Sequence, residues 1–162
     1  MNAWNTIKEP QEKYLKLKSG STRIRIVSQP VSGWVAWIED GSKKVAIRQK
    51  EEFSLPEAVD KPKFFIAVLA YNYDAEAFQL WEVSQASLYK TLIGLSKDPD
   101  WGDPSHYDIK VNKKGEGKET SYSITPLPKS KFDKRAIEEA PKINFDKWFA
   151  GDDPWELNDI PF

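Results

Sequence analysis

The sequence contains no cysteine, a single histidine and a single methionine in 162 residues. Without cysteine there can be no disulfide and no thiolate metal site. His106 stands alone, with no serine or cysteine motif beside it to serve as a nucleophile. Long hydrophobic runs are missing as well. Nowhere do eighteen apolar residues stand together, and the first residues lack the apolar stretch of a signal peptide. The expectation is a soluble protein that stays in the cytoplasm of the cell that makes it. Gly115-Glu116-Gly117 lacks the further glycines and the lysine of a phosphate-binding loop and reads as a hairpin turn. The run from Asp98 to Asp103 is rich in carboxylates, but Gly102 falls one place early for a calcium loop, and Ile109 stands where that loop needs its bidentate glutamate. No catalytic site, cofactor or metal is expected.

What the chain does have is rings and a divided charge. Aromatic residues make up 13% of it, so the core and any binding face should be rigid and ring-rich. The net charge of −1 hides a segment, 151–162, that contributes −4; the remaining 150 residues hold 24 cations against 21 acids, or +3. Residues 11–50 carry nine Lys or Arg against Glu12, Glu39 and Asp40. A basic body with an acidic tail suggests a polyanionic ligand and an internal competitor for it.

Four blocks are expected: an N-terminal arm at 1–20, a body at 21–128, a linker or docking segment at 129–151 and a flexible acidic tail at 152–162. Within the body, Ile24 and Ile26 alternate with Arg23 and Arg25, a half-buried strand. Trp34–Ile38 and Lys43–Lys50 flank Asp40-Gly41, a strong hairpin turn. Lys63–Tyr73 is apolar on both faces for most of its length and should be central; Phe78–Val83 pairs back onto it. Ser84 offers an N-cap, and Leu88, Leu92 and Leu95 share one face of a short helix. Two further strands follow, Tyr107–Lys113 and Glu119–Pro126, and then a brief helix within 131–139. This order predicts a mainly β protein of the OB type, a five-stranded Greek-key barrel with an extra hairpin and one helix between its third and fourth strands.

Single-stranded nucleic acid offers phosphates to Lys and Arg and exposed base faces to aromatic rings. The expected contact set is Arg23 and Arg25, which must point the same way from a strand; Trp37 in preference to Trp34; Lys43, Lys44 and Arg48 across the hairpin; Tyr71 and Tyr73 as a stacking platform; and Lys110 and Lys113 at one lip of a cleft. Phe64, Phe65, Phe78 and Trp81 are assigned to the core.

The chain's last residues are read as a hook. Asp152, Asp153 and Glu156 lead to Asp159-Ile160-Pro161-Phe162, which presents an apolar ring and a carboxylate on an extended approach. This stretch resembles the tip of bacterial single-stranded-DNA-binding proteins. The order Arg23-Ile24-Arg25-Ile26, Gly33-Trp34, Gly102-Asp103-Pro104, Tyr107-Asp108-Ile109 and Gly115-Glu116-Gly117, leading to Tyr122 and Pro126, resembles the body of tailed-phage single-stranded-DNA-binding proteins. The resemblance implies a barrel that coats single strands in DNA replication, recombination and repair, and a tip that recruits proteins of those processes. The T-even phage relatives carry a structural zinc site of Cys and His, which a chain with no Cys cannot build. Two alternatives remain: an RNA-binding barrel of cold-shock type, and an adaptor whose tail docks a second protein.

Overall fold

A computed structural model describes residues 2–7 and 12–156. The body contains β1 (Gly20–Ile26), β2 (Val31–Asp40), β3 (Lys43–Gln49), β4 (Lys63–Asn72), β5 (Ala77–Val83), α1 (Ala86–Lys97), β6 (Tyr107–Lys114) and β7 (Ser121–Lys129). Beyond it lie α2 (Lys134–Glu138), β8 (Lys142–Ile143), α3 (Phe145–Phe149) and β9 (Trp155–Glu156). The strands sit close to where the alternation puts them. The helix start differs. Gln85, not Ser84, is the N-cap residue, and its carbonyl accepts the Leu88 and Tyr89 amides while its side chain makes no capping bond.

The protein is mainly β, and its seven body strands form one open antiparallel sheet in the order β3-β2-β4-β1-β6-β7, with β5 on β4. β4 organises it. One edge of β4 pairs with β5 from Ile66 to Asn72; the other takes β2 at Lys63–Ala67 and β1 at Ala70–Asn72. Between those two partners the chain turns a corner at residues 27–30, and Leu69 would lose its ladder bonds there. Ser28 supplies the missing acceptor, its Oγ taking the Leu69 amide at 2.8 Å, while the Val27 amide donates to the Leu69 carbonyl at 2.9 Å.

Two paths therefore leave β4: a five-strand run β5-β4-β1-β6-β7, and the β2–β3 hairpin. Gly41, at the hairpin tip, has φ +65°, a conformation that glycine adopts without strain. Among the described residues no pairing joins β5 to β7. Lys13–Leu15 of the N-terminal arm lie along β5 instead, the Leu15 amide and the Lys13 carbonyl each bonding Leu80 at 2.9 Å. α1 lies against β7.

Burial explains why β4 reads as apolar throughout. On one side of the sheet Ile24, Ile26, Ile66, Val68, Trp81, Ile109 and Val111 pack with Leu88 and Leu92 of α1. On the other, Val35, Phe65, Ala67 and Leu80 pack with Trp148 of α3, flanked by Ile143, Phe145, Phe149 and Trp155. A side chain at position 33 would foul this second core, since a Cβ on Gly33 would lie 2.6 Å from the Phe149 ring and 2.7 Å from the Gln49 carbonyl.

Candidate nucleic-acid interface

Strand register decides which predicted residues meet. Arg25 lies opposite Tyr71, Arg23 opposite Lys110, Trp37 opposite Ala46 and Val35 opposite Arg48. Because side chains alternate along each strand, Arg23, Arg25, Trp37, Lys44, Arg48, Tyr71, Tyr73 and Lys110 all fall on the side of the sheet away from α1. Lys43 and Lys113 do not. Lys43 closes the hairpin opposite Asp40 on the other face, and Lys113, three residues from Lys110, points its Nζ to the Leu17 carbonyl at 3.5 Å. Neither joins the face that the other expected residues share, and both separations arise from odd spacing along a strand.

A buried carboxylate anchors the face. Asp108, 3% exposed, accepts from Arg23 Nε and Nη2 at 3.0 and 2.6 Å, from Arg25 Nη1 at 3.0 Å and from the Tyr73 hydroxyl at 2.9 Å. Burial alone would push the Asp108 carboxyl up, but bonds from Arg23, Arg25 and Tyr73 hold it below the usual carboxylate range. The Tyr73 phenol is pushed up to about 12 by burial and by its bond to Asp108. The Arg23 guanidinium is held above its ordinary value, chiefly by its bond to Asp108.

This network separates the two arginines. Arg25 is only 3% exposed; it also donates to the Ser105 carbonyl at 2.9 Å and to both the hydroxyl and the carbonyl of Ser130. Its donors go to partners inside the protein, unlike those of a phosphate-binding arginine. Arg23 keeps 51% of its side chain exposed. Arg48 is similarly committed, pairing with Glu82 at 2.7 Å and lying 4.1 Å over the Trp148 ring. Tyr71 and Tyr73 share the face, and a third ring lies on them. Tyr71 and Tyr73 meet edge to face at 5.1 Å, and Phe132 packs on them at 5.5 and 6.4 Å.

Two parts of the face stay open: Arg23 and Lys110 on β1 and β6, and, beyond the surface that α3 covers, Lys44 and Trp37 on the hairpin, the last 44% exposed. Beside Arg23 and Lys110 runs a polar ladder that the sequence reading did not find. Ser21 Oγ donates to Asn112 Oδ1 at 2.6 Å, and Asn112 Nδ2 donates to Ser123 Oγ at 3.2 Å and Thr125 Oγ1 at 3.0 Å. Period-two spacing of Ser121, Ser123 and Thr125 was the available signal. Asp108 and Phe132 were also missed. Asp108 had a signal, since it alternates with buried Tyr107 and Ile109 on a strand facing two arginines; Phe132, in an irregular stretch, had none. Among the described residues no cluster of three or more His, Asp or Glu is placed to hold a metal, and no helix is long and apolar enough to cross a membrane. Cations, one exposed ring and a row of hydroxyl and amide groups suit a ligand with phosphates and unpaired bases.

A curated protein of Escherichia phage T5, described as a probable ssDNA-binding protein, is 25% identical to this chain over 146 aligned positions, taking in 74% of the chain and 56% of that protein. The chain thus spans about half the length of that relative. No family model matches the chain, and no solved structure matches it.

Proposed function

We propose that the chain binds single-stranded DNA without sequence preference and performs no catalysis, and that its body is an OB barrel left open between its third and fifth strands. In this reading β1, β4, β5, β6 and β7 are the five barrel strands, α1 is the helix between the third and fourth, and the β2–β3 hairpin is the extra hairpin between the first and second. The observation that carries the proposal is Arg23 and Lys110 standing together beside the Ser21–Asn112–Ser123–Thr125 ladder, with Lys44 and Trp37 further along the same side of the sheet on the β2–β3 hairpin. The likeness to the phage T5 protein supports the same reading. Arg23, Lys44 and Lys110 would take backbone phosphates, and Trp37 would stack a base for roughly 1–3 kcal/mol.

The tip Asp159, Ile160, Pro161 and Phe162 lies outside the described residues. The chain runs towards it past Asp152, which lines a cleft with Tyr14, Lys44, Arg48 and Trp148. That placement favours a tail that competes with DNA for the hairpin's cations and recruits partner proteins of replication or recombination when displaced. Deletion of residues 157–162 together with Asp152→Asn, which leaves β9 and the Trp155 contacts in place, is expected to tighten DNA binding at low salt; unchanged affinity removes the competition.

The deciding experiment is titration of a fluorescein-labelled poly-dT oligonucleotide at low and high salt, with Trp fluorescence followed in parallel. Tight, salt-sensitive binding that quenches Trp and is much poorer for duplex is expected. No binding at low salt, with or without the tail, overturns the proposal. Competition between equal-length deoxy and ribo strands tells this reading from an RNA-binding barrel.

A further inference from the structure

Phe132 reaches the face from outside the sheet. It belongs to neither core, and Ser130, Lys131, Asp133 and Lys134 around it are all exposed. Residues 130–133 have no regular structure and connect β7 to α2. The ring contacts are with Tyr71 and Tyr73, and the Arg25 guanidinium lies over the ring, 5.8 Å from its centre. Two tyrosines and an arginine around one flat ring are the partners that a nucleobase takes in single-strand recognition.

Next to the ring is an open cleft of about 550 Å³, lined by Lys129, Lys131, Lys134, His106 and Arg25 together with Phe132 itself. None of the described residues lining it is acidic. The volume falls within the usual range for small-ligand sites. Its lysines are where the phosphate of a nucleotide would lie if its base took the place of the ring.

We propose that Tyr71, Tyr73 and Arg25 form a nucleobase slot that Phe132 fills in the free protein, and that the Lys129–Lys131–Lys134 cleft receives the phosphates of the nucleotide bound there. This rests on the single-strand reading above and adds a site to it. A base entering the slot moves Phe132 out, and the irregular 130–133 stretch gives it room to move without disturbing either core. The slot is thus closed to weak ligands, and opens at the cost of the Phe132 contacts.

The test is the F132A variant in the full chain, titrated with the same dT oligonucleotide. Vacating the slot is expected to tighten binding roughly tenfold, the scale of one base–aromatic stack, with a thermal midpoint within a few degrees of wild type. Adding Tyr71→Ala should cancel the gain. In the wild-type protein, a dT oligonucleotide containing 5-iodouracil should crosslink under ultraviolet light to Tyr71 or Tyr73, and more strongly so in F132A. The Lys129, Lys131 and Lys134 to Gln triple variant should flatten the salt dependence by up to about 2 log units per log unit of salt. Equal affinity of F132A and wild type, with crosslinks only elsewhere, overturns the slot and leaves single-strand binding intact. Weaker binding by F132A also overturns it, since Phe132 would then itself be a contact. If neither protein binds at low salt, the single-strand reading has failed, and the slot with it.

Discussion

One side of one sheet carries two unlike surfaces. Over β2, β4 and β5 the face is apolar at Val35, Phe65, Ala67 and Leu80, and α3 seals it with Trp148, 5% exposed, and Phe149. Over β1, β6 and β7 the same side carries Arg23, Lys110, Ser21, Asn112, Ser123 and Thr125, and of these only Asn112 is not largely exposed. The first surface stabilises by removing rings from water; the second gains little stability from its polar groups and keeps them available. The segment after β7 is therefore not a uniform cover. Its α3 portion is part of the fold, while its Phe132 portion rests on the boundary between the two surfaces.

The contrast can be broken most forcefully at Trp148. Trp148→Ala should cost about 3–5 kcal/mol, the range for emptying a large aromatic site in a core, read as a fall in the urea midpoint. If the midpoint hardly moves, α3 is a detachable strap and the first surface is available to ligand. Asp108→Asn comes next. It leaves Arg25 buried without its carboxylate partner and should cost about 3 kcal/mol. Because the folded state holds this carboxyl below its usual range, the stability it adds is present above about pH 4 and is lost as pH falls through the folded value. The variant should therefore show a flatter acid limb than wild type in thermal unfolding.

A smaller effect is expected at Tyr73. With its phenol pushed up to about 12, its contribution is complete below the ordinary phenol value of about 10 and is lost as pH rises towards the folded value. Tyr73→Phe should cost about 1–2 kcal/mol near neutrality and remove that alkaline decline. Smallest in stability terms are Lys110→Gln and Lys44→Gln, each within about 0.5 kcal/mol of wild type. Under the single-strand reading, each should reduce the salt slope of dT binding by about 0.7. Slopes equal to wild type would remove these lysines from the strand's path.

Alternation made the shared face legible: Arg23 and Arg25, Tyr71 and Tyr73, and Trp37 with Lys44 all fall on one side because the period of a strand is two. The same rule, applied strictly, would have removed Lys43 and Lys113. What the pattern did not carry is who else reaches the face. Arg25 looked free because its partners Asp108 and Ser130 lie 83 and 105 residues away. Phe132 and Trp148 arrive from a stretch with little periodicity, so the covering of Tyr71 and Arg48 had no local signal. The strands and α1 came from short-range patterns; the open edge between β5 and β7 depends on where the arm and helix settle, which local pattern does not encode.

β3 stands at the end of the strand order, with its outer edge unpaired among the described residues. An uncovered strand edge is a template on which other copies can add, the first step towards fibrous aggregates. Here that edge carries Lys43 and Lys44, both exposed, with Lys50 just beyond the strand. Two such edges meeting would set these ammonium groups against one another in a narrow, dehydrating gap. Whatever they do for a ligand, these lysines disfavour edge-to-edge pairing of two copies.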